Sequence, residues 1–312
     1  MPDASRTPVV IATDLTEHSV PALVRGRAHA DATGAPWIVI HVIPDVVRHH
    51  PLVPTPGEND AVLAVELEKK AADLVTEQVG SVLRASADEY RVIIEIGDAE
   101  DEIVRVAEEQ NASLITVGSR PRDGTERALG HVAERVVRYA HTSVMIARSG
   151  PHTSKILVAT DFTESSLPAL RFAAMLVEKV NVEATLLHVL QLPKITPLVP
   201  LLSALGSPWM PPPRQVIEQL EELGRETLEG LAKQYRFAHT EQLEGDPGDL
   251  IVKRADATNA EMIIMASHGR TGLRRLVLGS TAEHVVRTST RSVLVTRAPS
   301  ERSHDQGDAQ SS

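Results

Sequence analysis

The chain has 312 residues, 42% hydrophobic and 24% charged, with a formal net charge of −10 and no cysteine. That length suits two domains of about 150 residues each, and the composition is that of folded globular protein. The negative balance speaks against nucleic acid or an anionic membrane as the main partner, and the missing cysteines exclude disulfides and thiolate chemistry. Aromatic residues make up only 3% of the chain, too few for base-stacking platforms. No apolar run reaches the roughly 18 residues of a membrane span. The first residues lack the basic-then-apolar pattern of a signal peptide, so the expected location is cytoplasmic.

In chain order, Val9-Val10-Ile11-Ala12 predicts a strand that ends in Thr13-Asp14. A helix follows over 17–33, then a β-branched strand over 38–42. Residues 44–59 hold four prolines and predict a loop. The Ala-, Leu-, Glu- and Lys-rich stretch 61–89 predicts a long helix. Strands over 92–94, 114–117 and 144–146 alternate with helices over 100–110 and 131–140. The Gly- and Pro-bearing stretch 149–153 predicts a linker. The same plan then repeats, with strands near Ile156, Leu186, Thr240, Met262 and Val293 and a Pro-rich loop over 192–213.

The repetition extends to the residues themselves. From Val9 to Leu23, nine of fifteen positions match Ile156 to Leu170. His41-Val42 returns as His188-Val189, Gly97-Asp98 as Gly245-Asp246, and Asn111-Ala112 as Asn259-Ala260. Gly130 returns as Gly279, with Ala133-Glu134 and Val136-Val137 matching Ala282-Glu283 and Val285-Val286. A period of this length is a whole domain rather than a solenoid unit. Continuous apolar strands alternating with helices predict parallel sheets covered on both faces. Ligands of such sheets bind beyond the carboxyl ends of the strands.

Two segments there carry chemistry. Met265-Ala266-Ser267-His268-Gly269-Arg270-Thr271-Gly272 leads to Gly279-Ser280-Thr281 and a helix over 281–288. Small residues before a helix N-terminus can cradle a phosphate; the same residues also suit a tight turn and a Ser-capped helix. Neither the Walker A pattern nor G-x-G-x-x-G occurs. Asp161, after the first strand of the second copy, can accept from a ribose or hold a metal, or simply favour the helix start; Asp14 repeats it in the first copy. Residues 244–249 predict a cap and turn. His188 and His41, in apolar strands, predict core residues. His49-His50 lacks the further ligand spacing of a metal site.

Together these residues resemble the universal stress protein family in its tandem two-domain form. In its nucleotide-binding members the late motif reads Gly, two residues, Gly, nine residues, then Gly-Ser or Gly-Thr. The second copy has Ala266, two residues, Gly269, nine residues, then Gly279-Ser280, so only the first glycine is changed. If that position needs a positive φ, alanine costs about 1 kcal/mol or more; if it needs only a small side chain, alanine serves. The first copy reads Gly118, two residues, Pro121, eight residues, then Gly130-His131. Pro121 has no N–H, the loop is one residue shorter, and His131 replaces the serine.

The resemblance implies two tandem Rossmann-like, flavodoxin-like α/β units, each a five-stranded parallel sheet with helices on both faces. They would span 1–148, with a degenerate loop, and 154–299, with a near-intact one, followed by a polar tail over 300–312. It implies a pseudo-dimer through 144–147 and 293–296, with further homodimerisation and unknown protein partners. The implied ligand is ATP or another adenine nucleotide, with Mg²⁺, bound mainly in the second unit. Adenine would lie near Val189 and Asp161, and ribose near Asp161. The phosphates would lie on Gly269, Gly279, Ser280 and Thr281, with Ala266 and His268 lining the loop. No catalytic or metal-ligating residue is assigned. The expected function is a nucleotide-responsive regulator of stress tolerance. The alternatives are a slow ATPase using Asp161 or His268 as base, or an interaction module that binds no nucleotide.

Overall fold

The computed structural model describes residues 7–45, 58–119, 129–191, 214–267 and 278–297, with the side chains of 58–64 excepted. The first copy contributes β1 (Val9–Ala12), α1 (Val20–Thr33), β2 (Trp37–Pro44), α2 (Glu58–Leu83), β3 (Arg91–Gly97), α3 (Ala99–Glu109), β4 (Leu114–Gly118), α4 (His131–Tyr139) and β5 (Ser143–Ala147). The second contributes β6 (Lys155–Thr160), α5 (Leu167–Val180), β7 (Glu183–Leu190), α6 (Arg214–Tyr235), β8 (His239–Glu244), α7 (Pro247–Ala257), β9 (Met262–Ala266), α8 (Ser280–Thr288) and β10 (Ser292–Thr296). A 3-10 turn, Glu17–Ser19 or Glu164–Ser166, precedes the first helix of each copy.

All ten strands form one sheet, in the order β3-β2-β1-β4-β5-β10-β9-β6-β7-β8. Pairing is parallel within each copy and antiparallel where they meet, with Val293 opposite Ile146 and Val295 opposite Val144. The central strands are apolar throughout because both faces are covered; β1 and β10 are buried at every position. On one face, Leu23 of α1, Val75 and Val79 of α2, Leu170 of α5 and Leu228 of α6 pack on Ile11, Val39, Val158 and Ile264. On the other, Ile103 of α3, Val136 of α4, Ile251 of α7 and Val285 of α8 pack on Ile40, Ile115, Leu187 and Ile263. Each such buried side chain contributes about 1.5–3 kcal/mol of transfer free energy.

The long helix of the first copy differs from the 61–89 expected. It starts at Glu58 and ends at Leu83, because Arg84 adopts a left-handed φ of 54°. The polar residues beyond fold back, Ser86 N–H donating to Glu89 Oε1 at 2.8 Å, and lead into β3. The turns recur between copies: Leu15 and Phe162, Arg84 and Arg236, and Asn111 and Asn259 all have positive φ.

The seam carries reciprocal bonds. Arg148, just beyond β5, donates from Nη2 to the Val286 carbonyl of α8 at 2.6 Å. Arg297, just beyond β10, donates from Nη2 to the Val137 carbonyl of α4 at 2.7 Å. Each copy therefore satisfies carbonyls that its partner's helix leaves open at its C-terminus. Arg138 meets Glu283 at 3.1 Å, and Arg287 meets Glu134 at 4.0 Å, the same exchange in side chains.

Candidate functional site

Strand order reverses between β6 and β9, where β6 sends its chain towards β7 on one side and β9 neighbours β10 on the other. A gap opens at such a switch point, because consecutive connections leave in opposite directions. Here it is a cleft of about 250 Å³, walled by the carboxyl ends of β6, β7 and β9 and by the N-termini of α7 and α8.

Its first wall is the turn after β6. Thr163 donates to Asp161 Oδ1 from both its backbone N–H, at 3.1 Å, and its hydroxyl, at 2.6 Å. Phe162 takes a φ of 65°, its N–H donating to Thr160 Oγ1 at 3.1 Å. Thr160 Oγ1 lies 2.9 Å from Ser166 Oγ. The Asp161 carboxylate is thus tied by one oxygen into a rigid turn. His188 of β7 holds the same turn, with Nδ1 2.9 Å from the Thr160 carbonyl and its ring stacked on Phe162 at 4.0 Å. It is buried, as a core histidine is expected to be, yet it also lines the cleft.

The opposite wall is the crossing from β9 to α8. Ala266 pairs with Thr296 in regular parallel register and has no positive φ. Alanine therefore carries no left-handed strain at this position. Its counterpart Gly118 is different: a Cβ there would lie 2.2 Å from the His18 carbonyl oxygen. Gly279 caps α8 with φ −63° and ψ 149°, and no side chain caps that helix. The Ser-capped reading is corrected accordingly, since Ser280 stands inside the first turn. Gly279 N–H donates to the Ser267 carbonyl at 2.8 Å, which ties the end of β9 to the start of α8. Ser280, Thr281 and Ala282 follow on the cleft wall; N–H groups of a helix's first turn have no intrahelical acceptor and favour an anion. On the third side, Asp246 caps α7, accepting from Gly248 N–H at 3.1 Å and Asp249 N–H at 3.4 Å.

The cleft brings together Asp161, Val189, Ala266, Gly279, Ser280 and Thr281. His268 and Gly269 lie outside the described residues, as do His49-His50 and residues 198–209. Sequence reasoning missed Thr160, Ser166, Gln191, Pro247 and Ile251, which also line it, as does Ser267 of the quoted segment. Their signal was present for Thr160 and Ser166, each repeated in the first copy as Thr13 and Ser19. Among the described residues, no group of three or more His, Asp or Glu side chains is placed to hold a metal ion.

At the start of α4 the first copy carries side chains that the second copy lacks. Glu100 of α3 is nearly buried and meets Arg135 Nε at 3.1 Å and His131 Nε2 at 3.4 Å. The corresponding residues of the second copy are Gly248, His284 and Ser280. A carboxylate thus already stands beside the start of α4, where the second copy has a glycine.

Two stretches, residues 5–148 and 152–297, match the universal stress protein family. The chain belongs to the universal stress protein family. A universal stress protein of Methanocaldococcus jannaschii is 35% identical over 159 residues, covering 49% of this chain and 88% of that one. A universal stress protein of Mycolicibacterium smegmatis is 25% identical over 309 residues, covering 93% and 96%. A crystal structure of a universal stress protein from Archaeoglobus fulgidus superposes with a TM-score of 0.63 at 22% identity, covering 95% and 99%. The tandem arrangement is therefore shared along the whole length of relatives of this family. No helix among the described residues is long and apolar enough to cross a membrane.

Proposed function

We propose that this tandem universal stress protein binds ATP, or another adenine nucleotide, with Mg²⁺, in the second unit, and acts as a nucleotide-responsive regulator. The observation that carries this reading is the pairing of a tethered carboxylate, Asp161, with an uncapped helix start at Gly279-Ser280-Thr281 across one cleft. A ribose needs an acceptor and a phosphate chain needs N–H donors. Both are present on facing walls. Val189 and Ile251 give the apolar flank that a purine ring requires.

In this reading Asp161 takes the ribose hydroxyls and Val189 borders the base. Ser280, Thr281 and the residues of the loop, His268 and Gly269 among them, take the phosphates, with Ala266 as its small-residue floor. Gly279 acts by lacking a side chain: its own N–H is already donated to Ser267. Mg²⁺ would neutralise phosphate charge in a protein of net charge −10. The first unit binds no nucleotide, because Pro121 has no N–H to offer a phosphate and His131 stands where the second unit has Ser280.

Calorimetric titration of ATP with Mg²⁺ into the full chain and into Gly279→Asp tests the proposal. One site per chain, abolished by the substitution, is expected. Absence of binding at millimolar ATP overturns it and leaves an interaction module.

A further inference from the structure

The two copies enclose a second pocket of about 350 Å³ where the linker leaves β5 and the chain enters β10. Because β5 and β10 run antiparallel, this pocket lies at the opposite end of the sheet from the Asp161 cleft. His18 reaches it from the first copy, Arg148 and Ser149 from the linker, Arg291 from the second copy, and Ser119 from the end of β4. No carboxylate among the described residues lines it.

Arg148 is the unusual member. It is 6% exposed and its guanidinium donates only to carbonyl oxygens, those of Val286 at 2.6 Å and Arg291 at 3.1 Å. Its Nε has no partner, and no described carboxylate forms an ion pair with it. A buried cation without a counter-ion is costly; burial alone pushes the Arg148 guanidinium down to about 10. Arg291 does have a carboxylate, Asp256, at 2.9 Å, but that bond uses Nε and Nη1 bonds Asn259, so that Nη2 donates to no described residue. The pocket is thus an island of positive charge in an acidic protein.

Duplication supplies an internal control. At the corresponding place in the other half, His18 is replaced by Ser165 and Arg291 by Thr142, while Arg297 answers Arg148. His141 stands there in place of Thr290, and it meets Glu108 at 3.4 Å. The seam arginine thus recurs in both halves, whereas His18 and Arg291 occur in only one.

We propose that this seam pocket binds a phosphomonoester dianion, which serves as the counter-ion of Arg148 and ties the linker to both copies. Donors converge from the turn of one copy, the linker and the other copy, which suits a tetrahedral oxyanion better than a planar carboxylate. The volume exceeds that of phosphate alone and leaves room for a small organic body.

Calorimetric titration of inorganic phosphate at low ionic strength, into the full chain, tests the site. Acetate is the carboxylate control. Wild type and Gly279→Asp should each bind one phosphate per chain, in preference to acetate. His18→Ser with Arg291→Thr installs the residues of the other half and should weaken phosphate binding by about tenfold or more, the factor expected from losing charged hydrogen bonds. Should the double variant fold poorly by circular dichroism, His18→Ser alone, at a half-buried position of the turn, should still weaken it. Absence of binding at millimolar phosphate, equal binding of acetate, unchanged affinity in the variants, or loss of binding in Gly279→Asp would each overturn the proposal.

Discussion

His29 of α1 stacks on Phe172 of α5, with ring centroids 4.9 Å apart and planes inclined by 11°. The two residues belong to different copies, so the stack joins the halves on the helical face away from the cleft. His29 is 7% exposed and its Nδ1 has no hydrogen-bond partner. Burial holds its pKa down at about 4.

That depression gives the stability an acid dependence of known sign. An unfolded histidine titrates near 6.5, so the contribution is fully present above about pH 6.5 and is lost as pH falls towards the folded value. The full loss is roughly 3 kcal/mol, by about 1.4 kcal/mol per unit. Urea unfolding of wild type and His29→Leu at pH 7 and pH 5 should give similar midpoints at pH 7 and a smaller acid loss in the variant. Parallel pH slopes for the two proteins would show that His29 does not govern this window.

Arg297→Met should be destabilising by about 2–4 kcal/mol, because the Val137 and Arg138 carbonyls lose a buried charged donor. Thermal unfolding is the measurement. A shift in midpoint within error would mean that water replaces the guanidinium at the end of α4.

Gly118 and Ala266 occupy matching places and should respond unequally. Gly118→Ala puts a methyl carbon against the His18 backbone, where nothing flexible can yield, and should cost about 1–3 kcal/mol. Ala266→Gly should cost no more than about 1 kcal/mol, and it should leave ATP affinity within about threefold, since Ala266 imposes no left-handed strain. Equal costs at the two sites, read by denaturant unfolding, would contradict this.

Asp161→Asn keeps an oxygen for Thr163 to donate to and removes the charge. Nucleotide affinity should fall by about tenfold or more while the unfolding midpoint stays within about 1 kcal/mol of wild type. Titration of ATP and a thermal melt on the same sample separate the two effects.

Much of the architecture was legible because duplication samples the same fold twice. Two independent sequences that both place an apolar run before Thr-Asp, as at Ala12 and Ala159, leave little room for another reading of β1 and β6. Boundaries were less legible: α2 stops at Leu83 because of one left-handed residue, Arg84, which helix propensity does not forbid strongly. The cleft was half legible. Asp161 and Gly279 stand out by type and position, whereas Pro247 and Ile251 enter it only through the three-dimensional convergence of β9 and α7. The contact of Glu100 with Arg135 was hidden for the same reason, since the two residues lie on different helices.

The antiparallel meeting of β5 and β10 turns one half of the molecule head-to-tail against the other. Loops following the strands of the first copy therefore emerge on one rim, and those of the second copy on the far rim. Two bodies docked on those rims would not compete for space. A single chain can in this way act as a spacer between two neighbours, with any signal from one rim reaching the other through the shared strands and the helix contacts of the seam.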